Sequence, residues 1–216
     1  MAKGPAPLIA TDDQVRALLE RYKCPVPFHE VRTRFLGNIA TPALEVTPIK
    51  IIESLWGGSL PPFDTIDAAN ELFGVLVMGL WNRLSKHQDR TLPFRLTRID
   101  TKPTRRDLVT LALMRRQELD GFIEGLFGPN AELDLPERAR RGLDALAEMR
   151  VLFDAVVKAA GDEAMPGTEK DKEKTLRLLG EITKNVELEI HAIVRSCVRA
   201  RQQFLSTIPA LKPTLH

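Results

Sequence analysis

Glu187 and His191 stand four residues apart, the spacing that sets two side chains on one helix face where they can clasp a single metal ion. Two ligands fall short of a centre, and the di-metal bundle pattern needs a glutamate three residues before the histidine, where this chain has Leu188. Val194 and Val198 continue the face of His191, so the spacing predicts a partly buried structural histidine, with no metal or other cofactor. Glu118, Asp120 and Glu124 offer carboxylates for acid–base work, but Asp120 lies far around a helix from the other two. With Arg115 and Arg116 nearby, a solvated charged face is expected. Neither Cys24 nor Cys197 has a context that activates a thiol, and Cys197 falls within an apolar seam. No enzyme chemistry is therefore expected.

Two glycine patterns and one basic stretch complete the candidates. Gly121 and Gly125 share a helix face and predict close approach of another backbone. Trp56-Gly57-Gly58 reads as a helix stop; Ser59-Leu60-Pro61-Pro62 supplies no following helix to aim amides at a phosphate. From Arg90 to Arg116, the basic residues Arg90, Arg95, Arg98, Lys102, Arg105, Arg106, Arg115 and Arg116 face only Asp100 and Asp107, a local charge of +6. Phe94 is its sole aromatic, so the stacking platform of a single-strand binder is missing. Solvation, an acidic protein partner or phosphate contacts remain open for it.

The elements that carry these residues read as helices, because apolar residues recur at three and four and not at two. Thr11 with Gln14 forms a capping box ahead of Val15, Leu18, Leu19 and Tyr22. A helix from about Phe28 to Ile39 stops before Pro42, and Pro48 opens another through Ile51, Ile52 and Leu55. Between Asp64 and Leu84, Leu72, Phe73, Val75, Leu76, Val77 and Leu80 point in most directions, which predicts a central helix covered by others. The connection Lys86 to Pro103 is expected to pack through Leu92, Phe94 and Leu96. Thr104 with Asp107 starts the helix of Leu108, Leu111, Ala112, Leu119, Phe122, Ile123 and Leu126, and Gly128-Pro129 ends it. A helix from Pro136 carries Leu143, Leu146, Phe153 and Val157. The charged, Pro-Gly-containing stretch 161–170 predicts a mobile loop, followed by a long last helix with the seam Val186, Ile190, Ile193, Cys197, Ala200 and Phe204.

The expected fold is thus all-α: a single compact multi-helix domain over residues 8–208, with a central apolar helix and a long C-terminal one. The 216 residues suffice for a substantial core. A net charge of +2 gives no global pull toward nucleic acid or anionic lipid. Leu72 to Trp81 is half the length of a bilayer crossing, and the first ten residues lack a secretory pattern, so a cytoplasmic protein without membrane contact is expected.

Several of these residues also follow an order seen elsewhere. Glu30-Val31, Phe35-Leu36, Ile39-Ala40-Thr41-Pro42, Pro48 and Trp56-Gly57-Gly58 form one series; Gly121-Phe122-Ile123-Glu124-Gly125, Leu92-Pro93-Phe94 and His191 on a late helix form the rest. In this the chain resembles the bacterial YecA/YgfB proteins, and their YecA branch most. It departs from the pattern at Arg32-Thr33, where an acidic-glycine pair is usual, and at Glu118, where the second motif has tryptophan. The cysteine-rich, SecA-like zinc tail of many YecA proteins has no counterpart here, so no zinc site is expected. The resemblance implies an all-helical cytoplasmic bacterial protein and carries no catalytic activity with it. The function expected is a non-enzymatic protein-interaction or regulatory module with an unidentified protein partner and an undetermined oligomeric state. The alternative is an RNA- or ribosome-associated protein using residues 90–116, through Arg90, Arg95, Arg98, Lys102, Arg105 and Arg106.

Overall fold

A computed structural model describes residues 10–43, 47–129, 132–161 and 167–207, with the side chains of 160 and 161 excepted. Among these residues all the regular secondary structure is helical, without a strand. Helix α1 (Asp12–Arg21) starts at the expected capping box: Thr11 Oγ1 accepts from Gln14 N at 3.2 Å and Gln14 Oε1 accepts from Thr11 N at 2.9 Å. Helix α2 (Phe28–Ala40) buries Val31, Phe35, Leu36 and Ile39 together with the polar Thr33, Arg34 and Asn38. Helix α3 (Pro48–Leu55) is capped by the Thr47 hydroxyl and begins on proline, as its sequence requires. It ends where Gly57 and Gly58 take φ of 78° and 100°, a region that residues with a Cβ avoid.

Helix α4 (Ile66–Phe73) continues without a break through wider π-type turns over Gly74–Trp81, then α5 (Asn82–Ser85) and a tight turn at Lys86–Gln88. Leu72, Leu76, Leu80 and Leu84 are buried, but Phe73 is only half-buried, and Ile66 and Met78 are exposed at 81% and 52%. The segment therefore has an outer face, and the helix enclosed on most sides is α2, which meets α1, α3, α5, the π segment and, later in the chain, the helices over 105–127 and 169–207. Hydrophobicity around a helix registers affinity for a core without registering which neighbours arrive. Leu76→Ala should cost about 2–5 kcal/mol in urea unfolding, since its side chain is fully enclosed.

Helix α6 (Arg105–Phe127), capped by the Thr104 hydroxyl, crosses α2 and packs on α7 (Glu137–Gly161), which packs on α8 (Glu169–Thr207). The connection between α5 and α6 is docked by Phe94 and Leu96, while Leu92 is 49% exposed and does not join them. Arg32 lies over the Phe94 ring at 5.1 Å and donates to Thr97 Oγ1 at 3.0 Å, fixing this extended strip to α2. Burial along α8 runs from Leu179 to Val198; Phe204, expected in the seam, is 56% exposed because the helix outruns the bundle. Arg201 donates to the carbonyls of Ile39 and Thr41, both at 3.0 Å, capping the end of α2. Of the stretch 161–170, residues 162–166 lie outside the described ones, as do 8, 9 and 208; Gly161 ends α7, and Thr168 with Asp171 caps α8. Among the described residues no helix is long and apolar enough to cross a membrane.

Candidate functional site

Gly121 and Gly125 do what their spacing predicts. A Cβ on Gly121 would lie 2.7 Å from the Glu30 carbonyl oxygen, and one on Gly125 would fall on the Arg34 carbonyl. Gly37 of α2 faces the Phe122 carbonyl in the same way, so three glycines let the two backbones touch. Arg34 sits at this crossing, 8% exposed, and donates to Glu30 Oε1 at 2.7 Å. Its guanidinium also pairs with the half-exposed Glu124 carboxylate. Burial raises the Glu30 carboxyl above its ordinary pKa, and Arg34 offsets part of that.

Beside the crossing opens a cleft of about 580 Å³. Arg34 and Asn38 of α2 form one side, Lys50, Ile51, Glu53 and Ser54 of α3 with Gly58 the second, and Glu124, Gly128 and Pro129 at the end of α6 the third. Asn38 is 2% exposed, and neither its Oδ1 nor its Nδ2 has a hydrogen-bond partner; Arg34 Nε is in the same position. An unpaired buried polar group typically costs about 1–3 kcal/mol. The walls carry two cations, Arg34 and Lys50, against two anions, Glu53 and Glu124. Ser54 Oγ donates to the Ile51 carbonyl at 2.8 Å, which places its hydroxyl proton on its own helix and not on a base. The arrangement supports hydrogen-bonded recognition of a ligand. Asn38 escaped the sequence reading although a signal existed: a carboxamide inside the run Phe35-Leu36-Gly37-Asn38-Ile39-Ala40.

The other residues of the first motif have structural duties nearby. Trp56 Nε1 donates to the Tyr22 carbonyl at 2.9 Å and ties α3 to the end of α1. Gly57 and Gly58 have open space around a would-be Cβ, so their positive φ alone calls for glycine. Phe122 is fully buried in the core.

The basic stretch divides. Arg95 NH1 lies 2.6 Å from Glu187 Oε2, and Leu96 N donates to Glu187 Oε1 at 2.9 Å, so Glu187 anchors the connection to α8 instead of joining His191. Arg115 and Glu118, expected on a solvated face, are buried: they pair with each other, Thr97 N donates to Glu118 Oε1 at 2.7 Å, and Arg115 NH2 donates to Thr97 O at 2.8 Å. Asp120 pairs with Arg150 at 2.6 Å, and Arg116 with Asp154 at 3.1 Å. Arg90, Arg98, Lys102 and Arg106 are exposed, and Arg105 is half-buried at the start of α6.

His191 is half-buried and engages the Arg90 backbone, with burial lowering its pKa; Nδ1 has no partner. Burial also lowers His29, which bonds Gln117 at 2.8 Å, and His87, which bonds the Leu92 carbonyl at 2.9 Å. Folding therefore favours the neutral form of all three. The stability this contributes is complete above the unfolded histidine value of about 6.5 and is lost as pH falls through the lower folded values. The melting temperature should accordingly hold level above about pH 6.5 and drop as pH is lowered from there through the folded values; a flat profile below that value would show these rings to be effectively solvated.

Burial pushes the Cys197 thiol up to about 12, making it inert at neutral pH. Among the described residues no three histidine, cysteine, aspartate or glutamate side chains are grouped to hold a metal ion. No protein-family profile, curated protein or solved structure matches this chain.

Proposed function

We propose that this chain is a non-enzymatic protein-interaction module of YecA/YgfB-like type, and that it docks its partner at the cleft over Arg34 and Asn38. The observation that carries the reading is the buried Asn38 carboxamide, which lines an open cleft and finds no hydrogen-bond partner within the chain. The resemblance adds support, because Glu30, Gly121 and Gly125 meet at the α2–α6 crossing and Gly58 lines the adjoining cleft.

A photo-crosslinking amino acid in place of the exposed Lys50 tests it in the source cell. The expected adduct is protease-sensitive and nuclease-resistant, and the same group at exposed Glu173 on α8 should capture nothing comparable. A nuclease-sensitive adduct at position 50 would overturn the reading.

The RNA-associated alternative rests on the outward side chains of Arg98, Lys102 and Arg106. It requires that replacing Arg95, Arg98, Arg105 and Arg106 by glutamine flatten the salt dependence of RNA binding by up to about 3 units, near 0.7 per single-strand phosphate contact. Because Arg95 is engaged by Glu187, we expect weak binding that the substitutions leave nearly unchanged.

A further inference from the structure

Helix α7 packs on α6 and α8, and its far side carries apolar residues that no described part of the chain covers. Val151 is 63% exposed and Leu152 48%, and Ala155, one turn beyond Val151, is exposed as well. Glu148, Val151, Ala155 and Lys158 follow one another at spacings of three, four and three, the repeat of a helix-pairing seam. We infer that this face is a self-association surface, on which α7 of a second copy of the chain lies antiparallel about a two-fold axis at the level of Phe153.

About that axis each residue of α7 meets the one equally far on the other side of position 153. Val151 then lies beside Ala155 of the second copy, and the symmetry repeats the contact. Alanine there lets the helix axes approach to about 8 Å, the close end of helix packing. Leu152 comes within about 3 Å, measured along the axis, of its own counterpart and covers one flank of the seam. Each end of this apolar pair is closed by Glu148 against Lys158 of the second copy. Both are exposed, and ten positions on one helix hold them about 15 Å apart, too far to meet within one chain. Arg141 is paired with Glu137 and Asp154 with Arg150, while Glu148 and Lys158 enter no ion pair among the described residues. Charge thus selects the antiparallel copy as occupant, since a parallel one would set Glu148 against Glu148 and Lys158 against Lys158. A single helix pair of three turns is a small contact of the weak, transient kind, with an expected dissociation constant of about 10⁻⁴ M. The cleft over Arg34 and Asn38 draws no residue from α7, so the two surfaces stand or fall separately.

Sedimentation equilibrium of the full chain, from about 5 µM to about 1 mM so as to bracket that constant, tests the surface. The weight-average mass is expected to rise from 24.2 kDa toward twice that value. Glu148→Lys and Lys158→Glu should each weaken association roughly tenfold, because the two-fold axis turns one substitution into two like-charge contacts. An equimolar mixture of these two variants restores opposite charges at both ends and should recover the dimer, as should the double variant. Val151→Glu should remain monomeric across the range. All these side chains are exposed, so melting temperatures should stay near that of the parent chain, which separates lost association from lost folding. A mass that holds at 24.2 kDa up to the highest concentration, a dimer indifferent to Val151→Glu, or charge variants that fail to recover on mixing would each overturn the inference. So would a photo-crosslinking amino acid at position 155 that, in the source cell, yields an adduct with a different protein and none at twice the mass of the chain.

Discussion

Replacing Glu118 by alanine is expected to destabilise the protein by about 3–5 kcal/mol, a large share of the 5–15 kcal/mol typical of a whole domain. The Glu118 side chain is fully enclosed and that of Arg115 is 6% exposed. Arg115 spends its guanidinium on Glu118, on the Thr97 carbonyl and, through Nε at 3.3 Å, on Thr183 Oγ1. Without the carboxylate a buried cation loses its counter-charge, and the Thr97 N–H loses its acceptor. Urea unfolding measures the loss. The companion variant Arg115→Met with Glu118→Leu removes both charges, and it should be less damaged than Glu118→Ala alone because no unbalanced ion is left behind. Full recovery is not expected, since both backbone groups of Thr97 still lose their partners. A cost below about 1 kcal/mol for Glu118→Ala would mean that water reaches the pair as it does an exposed one.

The second large effect comes from adding a single methyl group. In an isolated helix, glycine to alanine gains about 1 kcal/mol. At Gly125 the new Cβ would collide with the Arg34 carbonyl and its neighbouring backbone atoms, which cannot rotate away as a side chain can. Gly125→Ala should therefore force α2 and α6 apart and cost about 3 kcal/mol or more, at or beyond the upper end of ordinary overpacking. Gly180→Ala on α8 is the matched control. Nothing lies within 4 Å of its would-be Cβ, so the same substitution there should raise stability by up to about 1 kcal/mol. Opposite signs in the two unfolding midpoints would establish the crossing; a stabilised Gly125→Ala would contradict it.

The helix ends were legible from residue types because their causes are local. Thr11 with Gln14, Thr104 ahead of Asp107, Pro48 in a first turn and Gly57-Gly58 past a last one each act on backbone groups a few residues away. The glycine pair at 121 and 125 was equally readable, since two missing side chains on one face imply a close neighbour. Which helix would be that neighbour was not, because Gly37 and Arg34 lie far off in the chain and carry no mark of their destination.

Tertiary structure alone decided the fate of the charges and of the polar side chains near the cleft. Glu118 and Glu124 stand on one helix within the same charged run, yet the first is sealed in and the second is half-exposed. Arg95 finds Glu187 across 91 intervening residues, and Asn38 acquires a cleft from two helices that follow it in sequence. Burial of an apolar side chain is favourable almost wherever it lands, so a stripe of leucines announces its fate from sequence. A charge or an amide is tolerated inside only by geometry, through the partner that meets it, and that geometry exists only once the helices have packed.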